Sequence, residues 1–164
     1  MRVIIDSREQ RPFGFRGAIY EGTTCEVGTL QSGDYSLAGL TDRIGVERKS
    51  LPDLVACLGV ERQRFERELQ RAQGLEAFLV CVEAPWEDLA KGNYRSQLNP
   101  HSACQSVMAF AARYGTAFHF AGSRAAAEYS CWSFLRQYLQ GAERRLKAVV
   151  KAHGDAESAG NGAA

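Results

Sequence analysis

Apolar and polar positions divide the chain into a strand-rich first third and a remainder in which helices and strands alternate. Val3-Ile4-Ile5 is a β-branched run that ends in Asp6, Arg8 and Glu9. It predicts a buried strand that delivers polar groups at its C-terminal end. Pro12 and the glycines at 14, 17 and 22 make residues 11–22 a loop. Thr24 to Leu30 predicts a second strand, Ser32-Gly33 a turn, and Asp34-Tyr35-Ser36-Leu37 the opening of a third. After a turn over residues 39–42, Arg43 to Lys49 alternates, with Ile44 and Val46 on one face.

Helical spacing follows. Ser50 starts a short helix containing Leu54, Val55 and Leu58. Glu61 to Gln73 predicts a second, with Phe65, Leu69 and Ala72 on one face and Gly74 as its stop. Ala77 to Val82 is a continuous apolar run of central-strand type. Asn99-Pro100 caps a helix through Arg113, Thr116 to Phe120 is a strand, and Ser123 starts a long helix with Tyr129, Trp132, Leu135 and Leu139 on its apolar stripe. This order predicts an α/β fold, a mixed β-sheet flanked by helices on both faces. It also predicts one domain over residues 1–152. Residues 153–164 lack a large apolar side chain and are expected to be a disordered tail.

Composition changes little. Of 164 residues, 45% are hydrophobic and 24% charged, a globular balance. A net charge of +1 means that any nucleic-acid contact has to come from a local patch. Cys25, Cys57, Cys81, Cys104 and Cys131 form no CxxC pair. Buried, reduced thiols are expected rather than a zinc site. The N-terminal apolar run is too short for a signal peptide, and no segment approaches the roughly 20 apolar residues of a membrane helix. A soluble, cytoplasmic protein with no membrane partner is expected.

The chemistry concentrates around residues 34 and 47–49. Alternation puts Glu47 and Lys49 on one strand face, with Gly45 leaving room beside them, and sends Arg48 to the face of Ile44 and Val46. An antiparallel hairpin around Gly39 brings Asp34, at the start of one strand, to Glu47, at the end of the next. Two carboxylates so placed repel unless a cation joins them. They suit Mg²⁺, which takes a few carboxylate ligands and keeps several waters. Phosphodiester hydrolysis needs an activated water and neutralised charge, work for a metal and a neighbouring lysine. An acid-x-Lys pattern alone is equally the mark of a solvated strand with a turn aspartate.

The surrounding residues narrow this. Gly33-Asp34, a spacer, Glu47-Arg48-Lys49, three residues and Asp53 form a GD…ERKxxxD pattern, preceded by Asp6-Ser7-Arg8-Glu9 and followed by Arg64-Phe65. The sequence resembles the XPF family of structure-specific DNA endonucleases, a branch of the PD-(D/E)XK nuclease superfamily. Glu68 stands where a glutamine is common in that family. The resemblance implies a restriction-endonuclease-like sheet and a metal-dependent DNA endonuclease acting on branched DNA such as flaps, forks or junctions. It implies Mg²⁺, with Mn²⁺ able to substitute. It makes Asp34 and Glu47 metal ligands, with the Arg48 backbone carbonyl, Glu9 and Asp6 as further ligands. Lys49 becomes the water-orienting or charge-stabilising group, and Arg8 a phosphate contact. Asp53 divides between active-site support and a helix cap on Ser50. Arg64, Arg67 and Arg71 share a helix face that can follow a DNA backbone, or belong to a salt-bridged surface with Glu61, Glu66 and Glu68. DNA is the expected partner, with a homodimer or partner subunit as a further expectation. Two alternatives stay open: a non-catalytic DNA- or partner-binding module on the same fold, and a restriction-type or exonucleolytic relative.

Overall fold

A computed structural model describes residues 1–158, with side chains to residue 154. Among the described residues the strands are β1 (Arg2–Asp6), β2 (Thr24–Gly28), β3 (Tyr35–Leu37), β4 (Ile44–Lys49), β5 (Ala77–Val82) and β6 (Ala117–Phe120). They form one sheet in the order β2-β1-β3-β4-β5-β6. β1 and β2 are parallel, as are β4, β5 and β6. β3 runs antiparallel to both of its neighbours, β1 and β4. The start of β3 therefore meets the C-terminal ends of β1 and β4. Backbone hydrogen bonds stitch the three together there: the Asp6 N–H donates to the Asp34 carbonyl (2.8 Å) and the Asp34 N–H to the Val46 carbonyl (2.8 Å).

The helices are α1 (Leu51–Leu58), α2 (Arg62–Ala72), α3 (Trp86–Lys91), α4 (Pro100–Tyr114) and α5 (Arg124–Ser158). α1, α2, α3 and α4 share one core with Phe78, Val80 and Val82 of the sheet. The opposite faces of the same strands, through Tyr35, Val46, Leu79 and Cys81, pack against α5 and the loop aromatics Phe13, Phe15 and Tyr20. The expected mixed sheet with helices on both faces is what forms.

Departures from the sequence expectations have local causes. β2 borders only β1 and ends at Gly28 rather than Leu30, and its Val27 is 76% exposed. Cys25, on the same edge strand, is an exposed thiol rather than a buried one. α3 was not expected. Pro85 precedes it, Glu87 and Asp88 occupy its first turn, and Gly92 closes it at φ 74°, signals confined to a six-residue segment. Tyr129 is 45% exposed, and the buried stripe of α5 is Ala127, Cys131, Trp132 and Leu135. The helix continues to Ser158, into the segment expected to be tail, because residues 142–152 are mostly Ala, Glu, Arg and Lys, strong helix formers. Residues 159–164 of that expected tail lie outside the described residues. Among the described residues no helix is long and apolar enough to cross a membrane.

Candidate active site

Gly33 sets the entry to the site. Its φ is 82°, and a Cβ there would lie 3.0 Å from the Val46 carbonyl oxygen, so the turn into β3 requires glycine. Asp34 follows, and its Oδ2 accepts the backbone N–H of Arg48 (2.8 Å). Strand alternation then places Glu47 and Lys49 beside it. Both are buried, and the Lys49 ammonium is hydrogen-bonded to Glu47 Oε1. The same ammonium sits 5.4 Å from the centre of the Phe65 ring on α2. Gly45 does not leave room for a ligand. Phe78 and Leu75 fill the space, lying 3.1 and 3.2 Å from where a Cβ would be.

These groups form part of the wall of a cleft of about 610 Å³. Asp6, Arg8, Glu9 and Asp53 also line it, as do Arg64 and Arg71 of α2. Arg67 is not among the lining residues. The helix face that borders the cleft thus carries two of the three expected arginines, and one of these, Arg64, is paired with Glu61 at 2.8 Å.

Asp6 and Glu9 have partners other than a metal. Asp6 accepts from the Arg8 side chain (2.7 and 3.1 Å) and from the backbone N–H groups of Arg8 (2.9 Å) and Leu30 (2.7 Å). Burial pushes its carboxyl up, but these hydrogen bonds outweigh it and hold the pKa below the ordinary value. Glu9 accepts both arms of the Arg48 guanidinium (2.9 and 3.0 Å). Both oxygens of each acid are thereby engaged, Asp6 by Arg8 and the Leu30 N–H, and Glu9 by Arg48. Arg48 also pairs with Glu83 at 3.2 Å, and Arg124 reaches Glu83 at 2.6 Å. The Arg48 N–H points to the β3 side of its strand, and its carbonyl shares that direction. Asp53 supports the start of α1, whose N-cap is Ser50: the Ser50 hydroxyl donates to its Oδ2 (2.6 Å) and accepts its N–H (3.3 Å). It also lies at the cleft wall.

The ERCC4 domain model matches residues 5–131. The chain belongs to the ERCC4 domain family. XPF from Aeropyrum pernix has the same fold, with a TM-score of 0.66 and 23% identity over 100% of this chain and 76% of that one. A second structure, XPF from Aeropyrum pernix in complex with DNA, gives a TM-score of 0.66 at 25% identity over 85% of this chain and 66% of that one. No curated protein matches the sequence.

The donor set of this ERCC4 domain suits a hard divalent cation. Asp34 and Glu47 present carboxylate oxygens from adjacent strands, and the Lys49 ammonium already stands against Glu47 as a positive charge. Among the described residues no three His, Cys, Asp or Glu side chains form a ready cage. Electrostatics also favour a cation. Burial and then the nearby charge of Glu47 raise the Asp34 pKa to about 7. Burial raises Glu47, with Lys49 opposing and Glu68 adding to the rise. Both acids are therefore held in surroundings that disfavour their charge.

This has a measurable consequence. A raised carboxyl binds its proton better in the folded state, so stability falls as pH rises from near 4 to about 7 and stays low above. Asp34→Asn keeps the acceptor for the Arg48 N–H and removes that penalty. In metal-free buffer the variant is expected to melt several degrees above wild type at about pH 8 and nearly level with it at about pH 4, taking roughly 2–4 °C per kcal/mol for a domain of this size. Divalent cations should then stabilise wild type more than the variant. Equal melting temperatures at both pH values would place Asp34 in a solvated setting.

Three contributors were not singled out from the sequence. Glu83 and Arg124 extend the ion chain from Arg48, and Glu68 of α2 lines the cleft with Glu47. Glu83 at the end of an apolar strand carried a weak signal. Glu68 carried only its place at the family's glutamine position, because alternating Arg and Glu on a helix read equally as a solvated face.

Proposed function

We propose that the cleft is the active site of a divalent-metal-dependent DNA endonuclease, with branched DNA (flaps, forks or junctions) as its substrate. The observation that carries this reading is the charge layout: an acidic wall of Asp34 and Glu47 with Lys49 between the sheet and α2, and arginines 8, 64 and 71 around it. Acids that cannot be comfortably ionised alone sit where a cation is needed, next to cations placed to meet phosphate. Family membership and the likeness to an XPF structure in complex with DNA support it.

In this reading Asp34 and Glu47 hold Mg²⁺ or Mn²⁺, with the Arg48 carbonyl directed to the same side. A bound divalent cation makes water more acidic and neutralises charge on the phosphate. Lys49 donates its hydrogen bonds to the attacking water or to a non-bridging phosphate oxygen, from a protonated state that its contact with Glu47 maintains. Arg8, whose side chain is 72% exposed while Asp6 fixes its orientation, grips an adjacent phosphate. Arg64 and Arg71 follow the backbone further along α2. A homodimer or partner subunit would add DNA affinity.

Flap, fork, junction and plain duplex DNA, each incubated with Mg²⁺ or Mn²⁺ alongside an Asp34→Ala control, test the proposal. Cleavage of branched substrates that the control lacks is the expected result. Equal cutting of plain duplex favours the restriction-type reading, and binding without cutting favours the non-catalytic module. Affinity should fall steeply with salt, and replacing Arg8, Arg64 and Arg71 together should flatten the log–log slope by roughly 2–3 if each meets one phosphate.

A further inference from the structure

The backbone of residues 11–13, beyond β1, is held from three other elements of the fold. The Arg11 N–H donates to Glu9 Oε1 (2.6 Å), which Arg48 of β4 holds in turn (3.0 Å). One guanidinium nitrogen of Arg124, at the start of α5, donates to the Arg11 carbonyl (2.7 Å) and the Pro12 carbonyl (3.1 Å), while another reaches Glu83 (2.6 Å). The same guanidinium stands 5.0 Å from the centre of the Phe13 ring. The Phe13 N–H donates to the hydroxyl of Tyr35 on β3 (2.8 Å). Pro12 has no N–H to place. The backbone is thus fixed, yet the Arg11 side chain is exposed and lines the cleft. Arg8, Arg48 and Arg64 of the same wall are each engaged by an acid: Asp6, Glu9 and Glu61. Among the described residues the hydrogen bonds of Arg11 are made by its backbone, and its guanidinium enters no ion pair.

We propose that Arg11 grips a DNA phosphate at the lip of the cleft, and that Arg124 is the positioning residue that holds it there. This rests on the DNA-binding reading above and extends it to α5. A guanidinium with no acid beside it meets a phosphate without breaking an ion pair, and its fork suits two phosphate oxygens. Because the backbone beneath it is already ordered, binding costs the freedom of the side chain alone. Arg124 acts by geometry rather than by charge. Its planar fork serves two carbonyls and a carboxylate at once. The point charge of a lysine, at the end of a flexible stem, does not reproduce that fixed set of directions.

The test is binding of fluorescein-labelled flap and plain duplex DNA to the whole chain in EDTA, followed by anisotropy over a range of salt. It compares wild type, Arg11→Gln, Arg124→Lys, the double variant and Arg16→Gln. Arg11→Gln should weaken both DNAs about fivefold and flatten the log–log salt slope by about 1, the loss of one phosphate contact. Arg124→Lys keeps the net charge. It should weaken binding about threefold while Arg11 is present, and add nothing in the double variant. Arg16→Gln removes the same charge from the same loop at a residue that does not line the cleft, and should bind as wild type does. Equal weakening by Arg124→Lys with and without Arg11 would show a structural role only and overturn the positioning role. Unchanged affinity and slope in Arg11→Gln, or equal weakening by Arg16→Gln, would overturn the phosphate contact. The DNA-binding reading of the cleft survives either result if replacing Arg8, Arg64 and Arg71 flattens the slope. If wild type binds neither DNA, that reading and this proposal fall together.

Discussion

Lys49→Ala lowers cleavage of the preferred DNA substrate by about 10²–10⁴-fold, the range for removing one positioned proton-transfer or charge-stabilising group. The substitution also breaks a buried ion pair, so activity is compared at temperatures where the variant is folded. Lys49 lies over Phe65, but the cores on either side of the sheet are built from other residues. Glu47, left without its ammonium, sits buried with the charge of Glu68 near it, so it takes up a proton rather than leave an unpaired charge in the protein. The loss should appear in single-turnover rate, with DNA affinity changed much less, because the arginines around the cleft remain. Lys49→Arg should not restore the rate, since a planar fork cannot occupy the place of a compact ammonium wedged between Glu47 and an aromatic ring. Asp34→Ala should remove activity to the same degree through a different route, by depriving the cation of a ligand. Single-turnover cleavage with Mg²⁺ checks both variants. A Lys49→Ala enzyme cutting within tenfold of wild type would remove Lys49 from the chemistry.

The pairing of Asp34 with Glu47 was legible because both lie on one hairpin. A turn at Gly39 and period-two alternation suffice to place them, and they also send the Arg48 side chain to the opposite face. What α2 and β1 bring to the same end of the sheet was not legible. Glu9 meets Arg48 only because β3 runs between β1 and β4, an order no local pattern encodes. Asp6 and Glu9 read as ligand candidates in the sequence, and their anchoring of two arginines could not be seen there. Glu68 required the packing of α2 over the site, and within its helix the arginines at 64 and 71 offer it obvious but unused partners. Gly45 was read as leaving room for bulk, but not for whose: the space is filled by Phe78 from the next strand. The long helix α5 was legible in its packed first half and misjudged at its end, where helix propensity rather than burial carries it.

Arg48→Ala should be strongly destabilising, and its effect should separate from that of Lys49. The Arg48 side chain is 11% exposed, and its partners Glu9 and Glu83 are 4% and 12% exposed. Removing one partner of a buried, hydrogen-bonded ion pair costs about 3–5 kcal/mol, because the remaining charges are left without compensation. For a domain of this size that corresponds to a fall in Tm of roughly 6–20 °C. The stabilisation is also pH-dependent in a direction that can be checked. Burial pushes Glu9 up, but the hydrogen bonds from Arg48 and from the Arg11 N–H outweigh it and hold its pKa below the ordinary carboxylate value. A depressed carboxyl contributes stability that is present above its unfolded pKa and is lost as pH falls through the folded one. The gap between wild type and Arg48→Ala should therefore be full at neutral pH and close in acid below about pH 4. Catalysis should suffer less than with Lys49→Ala at temperatures where the variant is folded. The contact that Arg48 makes with Asp34 comes from its backbone N–H, which alanine keeps. A variant that melts within a few degrees of wild type at neutral pH would mean that Glu9 and Glu83 find water or Arg124 instead, and that the ion chain across β4 is a consequence of the fold rather than one of its supports.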